Sequence, residues 1–282
     1  MFTTLIDIET LAAHLADPDW VTVDCRFRLD DTEFGRREYA ADHIPGAVYA
    51  HLDEVLSNPP VTDNGRHPLP PPDVLTERFG RLGIDNSKQV VAYDDKNGMI
   101  AARLWWLLRY LGHEAVAVLD GGWPAWVEAG QPQRGGVEEN VPRQFSGVPH
   151  PEWVALADEV PDVALLVDSR GPERYSGEVE TIDPVAGHIP GAVNYFYEQN
   201  WSEDGRYLPP EQIRRQLQTI LGETDPDEAV FYCGSGVTAC VNLLALTHAG
   251  LGNGRLYAGS WSDWITDSSR PTNNLSVKNR KS

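Results

Sequence analysis

The chain has 282 residues, 41% hydrophobic and 23% charged, and its 23 basic against 42 acidic side chains leave a net charge of −19. Such a length and composition predict two globular domains with ordinary cores. The charge excludes nucleic acid or an anionic membrane as the main partner, and it requires a local positive site for any anionic substrate.

The N-terminal stretch from Met1 to Glu9 carries acidic residues and no basic region, unlike a secretory signal or an Arg-rich transit peptide. No apolar run is long enough to span a bilayer. Cys25, Cys233 and Cys240 form neither a disulfide framework nor a zinc-ligand spacing. The expectation is a cytoplasmic protein without a metal. In the first half, β-rich runs predict strands over 21–25, 47–49, 90–93 and 115–119. The pattern over 100–111 predicts a helix with Leu104, Leu107, Leu108 and Leu111 on one face. From Gln131 to Pro151, Gly, Pro, Glu and Arg dominate and apolar periodicity stops, which predicts a linker. Strands follow over 164–168, 192–195, 229–232 and 255–257. Strands alternating with helices imply an α/β fold with a mostly parallel sheet covered on both faces.

The two halves repeat. Asp42-His-Ile-Pro-Gly-Ala-Val48 returns as Gly187-His-Ile-Pro-Gly-Ala-Val193, and Val23-Asp-Cys-Arg26 returns as Val167-Asp-Ser-Arg170. Gly121-Gly-Trp-Pro-Ala-Trp126 returns as Gly259-Ser-Trp-Ser-Asp-Trp264, and Gly65-Arg-His-Pro resembles Gly205-Arg-Tyr-Leu. Chance could supply one such pair, but not four in the same order. The chain is a tandem duplication, with domains expected over 1–135 and 151–282 and a linker over 136–150. Motifs present in both halves read as structural, which covers His43, His188 and the paired tryptophans.

One element is not repeated. Val90-Val-Ala-Tyr-Asp94 aligns with Val230-Phe-Tyr-Cys233. Cys233 ends an apolar strand and opens the turn Gly234-Ser-Gly-Val-Thr238 before a helical run. Backbone N–H groups converge at such a strand-to-helix turn, favouring thiolate, the nucleophilic form. Gly234 and Gly236 allow the turn to close tightly. The bland alternative is a small buried hydrophobe. A Cys-based phosphatase would place an arginine six residues on, where this chain has Ala239. Asp94 offers no thiol nucleophile, so the first half is expected to be catalytically silent.

Cys233-Gly-Ser-Gly-Val-Thr-Ala239 resembles the active-site loop of rhodanese-type sulfurtransferases, in particular their 3-mercaptopyruvate branch, and the resemblance extends over nearly the whole chain. It implies two tandem rhodanese-like domains and a Cys233 persulfide held by the loop Gly234, Gly236, Val237 and Thr238. It also implies a Ser235–His67–Asp53 proton relay and an Arg174 that binds the substrate carboxylate. The donor is then 3-mercaptopyruvate, with thiosulfate the alternative. The acceptor is cyanide, a small thiol or a thioredoxin-like protein, and no cofactor is implied. Two departures stand out. Asp53 and His67 lie further apart than the resemblance leads one to expect. Glu180-Thr-Ile-Asp-Pro-Val replaces a segment in which related enzymes carry a second arginine. A reading of another class is a sulfur-carrier or protein-binding module with low turnover.

Overall fold

The computed structural model describes residues 1–60 and 64–274. It divides into two compact units. The first comprises Met1–Asn58, Pro70–His150 and Trp201–Tyr207. The second comprises Pro59–Leu69, Pro151–Asn200 and the chain from Leu208 onward. Each unit thus incorporates a short segment from the opposite half of the sequence.

The first unit runs β1 (Leu5–Ile6), α1 (Ile8–Ala13), β2 (Trp20–Asp24), α2 (Phe34–Ala41), β3 (Val48–Tyr49), a π-helical turn (Leu52–Leu56), α3 (Pro72–Arg81), β4 (Gln89–Tyr93), α4 (Ala101–Tyr110), β5 (Val116–Leu119) and α5 (Gly122–Glu128). Its strands form one parallel sheet in the order β1-β5-β4-β2-β3. All five residues of the central β4 are buried, as expected of a strand covered on both faces. Helix α4 differs from the one-sided helix that its leucines predict. Every residue from Ala101 to Tyr110 is buried, including Arg103, Trp105 and Trp106. A helix buried on every side is enclosed by the fold rather than laid on its surface.

The second unit runs β6 (Leu166–Asp168), α6 (Pro172–Ser176), β7 (Val193–Asn194), α7 (Pro210–Leu221), β8 (Val230–Tyr232), α8 (Ala239–His248), β9 (Arg255–Leu256) and α9 (Ser260–Trp264). Its parallel sheet has the order β7-β6-β8-β9. Val154 bridges Leu256 in parallel, the place that β1 takes beside β5. The two sheets therefore share one topology, with β8 the counterpart of β4.

The repeated motifs make the same contacts twice. His43 Nδ1 lies 2.7 Å from the Tyr39 carbonyl and its ring stacks on Tyr39; His188 does the same at 2.7 Å with Tyr175. Arg26 pairs with Asp24 at 2.6 Å under Trp123, and Arg170 pairs with Asp168 at 2.6 Å under Trp261. Trp126 and Trp264 each donate an indole N–H at 2.9 Å to a proline carbonyl beyond the helix, Pro132 and Pro271. These residues serve the architecture of each half.

Candidate active site

Strand β8 is buried throughout and stops at Tyr232, leaving Cys233 at the carboxyl end of a central parallel strand. Ligands of open parallel sheets gather beyond that end. Helix α9 pins the turn. Cys233 N–H donates to Ser260 Oγ (3.1 Å), while the N–H groups of Trp261 and Ser262 donate to the carbonyls of Cys233 (3.1 Å) and Gly234 (2.8 Å). Gly236 has φ +73°, and a Cβ there would lie 2.3 Å from the Ala258 carbonyl oxygen. No other residue fits that position without moving backbone. Cys233 itself is 2% exposed.

Among the described residues, the backbone N–H groups of Gly234, Ser235, Val237 and Thr238 have no acceptor within the protein. The corresponding loop of the first unit shows what such amides bind. Asp94 is 1% exposed, and its carboxylate accepts from the N–H groups of Lys96 (2.9 Å), Gly98 (2.9 Å), Ile100 (2.7 Å) and Ala101 (2.8 Å). Burial raises its carboxyl pKa, and the four amides offset part of that rise. The first unit fills its own anion cradle; in the second, a thiol stands at the matching strand end.

Segment Pro59–Leu69 reaches this turn from within the second unit. Arg66 N–H donates to Ser262 Oγ (3.0 Å), and His67 Nδ1 shares a 2.7 Å hydrogen bond with Ser235 Oγ. His67 is 3% and Ser235 5% exposed. The repeated Gly-Arg segment does a comparable thing in the first unit. There Arg206 donates to the Asp120 carbonyl (2.8 Å), and the Tyr207 hydroxyl lies 3.3 Å from where a Cβ on Gly98 would stand. Asp53 belongs to the first unit, half-buried in the π-helical turn, and its N–H donates to His51 Nδ1 (3.1 Å).

Arg174, on the short helix α6, bonds Glu180 through Nε (3.1 and 3.2 Å) and Asp183 through Nη2 (2.8 Å). The buried Asp183 also accepts from Arg66 Nη1 (2.7 Å). Burial alone would raise the Glu180 carboxyl. The N–H groups of Asp183 and Ile182 and the Arg174 guanidinium outweigh it and hold its pKa below the ordinary range. The segment 180–183, which lacks a cation, thus supplies two carboxylates that set two arginines. Arg170, at the end of β6, bonds the Asp168 carboxylate (2.6 Å) and the Gly187 carbonyl (2.7 Å) through Nη2.

Sequence reasoning assigned no role to Arg66, Asp183, Glu180 or Ser260. The only hint for Arg66 was its place in the Gly-Arg repeat. Cys240 is fully buried on α8, its thiol donating to the Gly236 carbonyl (3.4 Å). Burial first, then Asp24 and Asp94, push the Cys25 thiol well above its ordinary pKa, which leaves it unreactive. The His/carboxylate cluster Glu33, His51 and Glu54 lies in the first unit. Arg36 pairs with both of its carboxylates, and both ring nitrogens of His51 are bonded.

A model of the rhodanese-like domain matches residues 7–129 and 150–267. A Pseudomonas aeruginosa protein described as a probable 3-mercaptopyruvate sulfurtransferase is 47% identical over 95% of this chain and 96% of its own length. The 3-mercaptopyruvate sulfurtransferase of Escherichia coli is 33% identical over 93% of this chain and 95% of its own. The solved 3-mercaptopyruvate sulfurtransferase from Leishmania major superposes with a TM-score of 0.83 at 34% identity, covering 92% of this chain and 73% of that one. The duplicated parallel sheets, the thiol at the end of one central strand and these likenesses agree: the chain belongs to the rhodanese-like family, with one such domain in each half.

Proposed function

We propose that the chain is a sulfurtransferase that moves sulfur from 3-mercaptopyruvate to a thiophilic acceptor through a persulfide on Cys233. The observation that carries this reading is the pairing of Cys233, at a strand end followed by uncommitted amides, with a serine–histidine couple two residues along the loop. The named function of the P. aeruginosa, E. coli and L. major relatives supports it.

In the first step the Cys233 thiolate attacks the thiol sulfur of the donor. An S–S bond forms and the C–S bond breaks, its electron pair passing to carbon as the enolate of pyruvate. The enolate takes a proton at that carbon and leaves as pyruvate. In this reading Ser235 and His67, hydrogen-bonded to each other, deliver the proton, with Asp53 the third member of the relay. The persulfide loses its own proton, and the amides of residues 234–238 with the start of α8 stabilise its charge. An acceptor anion such as cyanide or a thiolate then attacks the outer sulfur, the S–S bond breaks and Cys233 thiolate returns. Cyanide, small thiols and a thioredoxin-like protein are the acceptors proposed. The first unit, with Asp94 in its cradle, is the silent partner.

Thiosulfate is the second reading. Two guanidiniums close to Gly234 provide positive charge that a dianion requires, although Gly234 and Ser235 themselves provide none. Parallel steady-state kinetics separate the donors: the proposal expects the larger kcat/KM with 3-mercaptopyruvate, and a clear preference for thiosulfate would reverse it. Intact mass after donor addition separates enzyme from carrier. One sulfur retained on Cys233 without release to small acceptors would identify a carrier; rapid multiple turnover is expected. Among the described residues no helix is long and apolar enough to cross a membrane, and we place the activity in the cytoplasm.

A further inference from the structure

We infer that Arg66 is a specificity-determining residue that, beside Arg174, binds the carboxylate of the donor at the Cys233 loop. This rests on the sulfurtransferase reading above and assigns a residue that reading leaves without a role. A Cβ placed on Gly234 would lie 3.2 Å from Arg66 Nη2 and 3.6 and 3.7 Å from Arg174 Nη1 and Nη2. Two guanidiniums therefore meet over the residue next to the nucleophile, at a position with no side chain of its own.

The protein's own carboxylates use only part of this pair. Asp183 takes Arg66 Nη1 and Arg174 Nη2, one oxygen each, and Glu180 takes Arg174 Nε and Nη2. Arg66 Nε is buried with no hydrogen-bond partner among the described residues. The donors left uncommitted are Arg66 Nε and Nη2 and Arg174 Nη1, and the last two are among the atoms nearest Gly234. A carboxylate presents two oxygens to two such forks, which fixes orientation as well as charge. The Asp183 side chain is 2% exposed and ties the guanidiniums together, so their spacing is set before a ligand arrives. In a chain of net charge −19, a paired cation is also what draws a small anion to this turn.

The test uses the full chain with Arg66→Ala and Arg66→Lys. The readouts are KM and kcat for 3-mercaptopyruvate and the competitive inhibition constants of pyruvate and of methyl pyruvate, its uncharged ester. Arg66→Ala is expected to raise KM and the pyruvate constant about tenfold or more, with kcat changed far less and methyl pyruvate unaffected. Arg66→Lys is expected to recover part of the loss. A KM and a pyruvate constant within about twofold of wild type overturn the inference, whatever happens to kcat. So does an equal loss for methyl pyruvate, which would mean that the pocket was deformed. Sulfur loading of wild-type Cys233 is followed by intact mass alongside. Failure of wild type to load removes the sulfurtransferase reading itself; normal loading with pyruvate binding indifferent to Arg66 removes only this inference.

Discussion

The difference between the two halves comes down to one side chain at one strand end. The Asp94 carboxyl group already accepts four N–H groups of its own loop; Cys233 ends the matching strand of the second half, and among the described residues the N–H groups of Gly234, Ser235, Val237 and Thr238 have no acceptor. Cys233→Ser is expected to abolish transfer while leaving the thermal transition near that of wild type, and substantial remaining turnover would refute the nucleophile. Ser235→Ala and His67→Ala should lower mercaptopyruvate turnover far more than any thiosulfate turnover, because only the former leaves an enolate to protonate. Equal losses on both donors would argue against the relay. Asp94→Ala strands the buried N–H groups of Gly98, Ile100 and Ala101, and a loss of about 1–3 kcal/mol or more is expected in chemical denaturation. At this scale the sequence was legible for Cys233 because the repeat exposed its replacement. It was silent on Arg66: nothing local marks a loop arginine as the partner of an aspartate 117 residues away.

At the scale of elements, the site depends on how strand, turn and helix are joined. The turn closes because Gly236 adopts a left-handed φ against the Ala258 carbonyl. Gly236→Ala is expected to destabilise the fold by more than about 2 kcal/mol and to lower sulfur loading of Cys233, seen by denaturation and intact mass together. The strands predicted from β-rich runs appear within one or two residues, since a run buried on both faces needs continuous apolar character and little else. Helix α4 departed from its pattern because its polar-looking positions are also enclosed: Arg103 and the tryptophans are buried as fully as the leucines. Amphipathic spacing describes a helix on a surface, and tertiary packing around α4 removed that surface.

For the molecule as a whole, duplication explains why so much is paired and why little of it is chemistry. The Asp24–Arg26 and Asp168–Arg170 pairs are buried and repeated, so each is part of the fold. Removing one partner, as in Arg170→Met, leaves an uncompensated carboxylate and is expected to cost about 3–5 kcal/mol in denaturation. Acid should act through the cluster at the candidate site. The Glu180 carboxyl has a lower pKa in the folded chain than in the unfolded one, so its contribution is present above the unfolded value and is lost as pH falls through the folded value. The Tm of wild type should exceed that of Glu180→Gln at neutral pH, and the gap should close below about pH 4. A gap that stays constant would show that ionisation of Glu180 does not stabilise this cluster.

What the sequence determined by itself was whatever is written locally or written twice: the α/β alternation, the tandem repeat, the thiol at a Gly-lined strand end and the aspartate in its place. Period, turn chemistry and repetition are properties of neighbouring residues, so they survive without a structure. Only the tertiary structure decided which distant residues meet at that thiol. It incorporated Pro59–Leu69 into the second unit, set His67 against Ser235 and drew Arg66 and Arg174 onto one buried carboxylate. Those contacts follow from chain path and burial, which bring together groups that no sequence spacing connects.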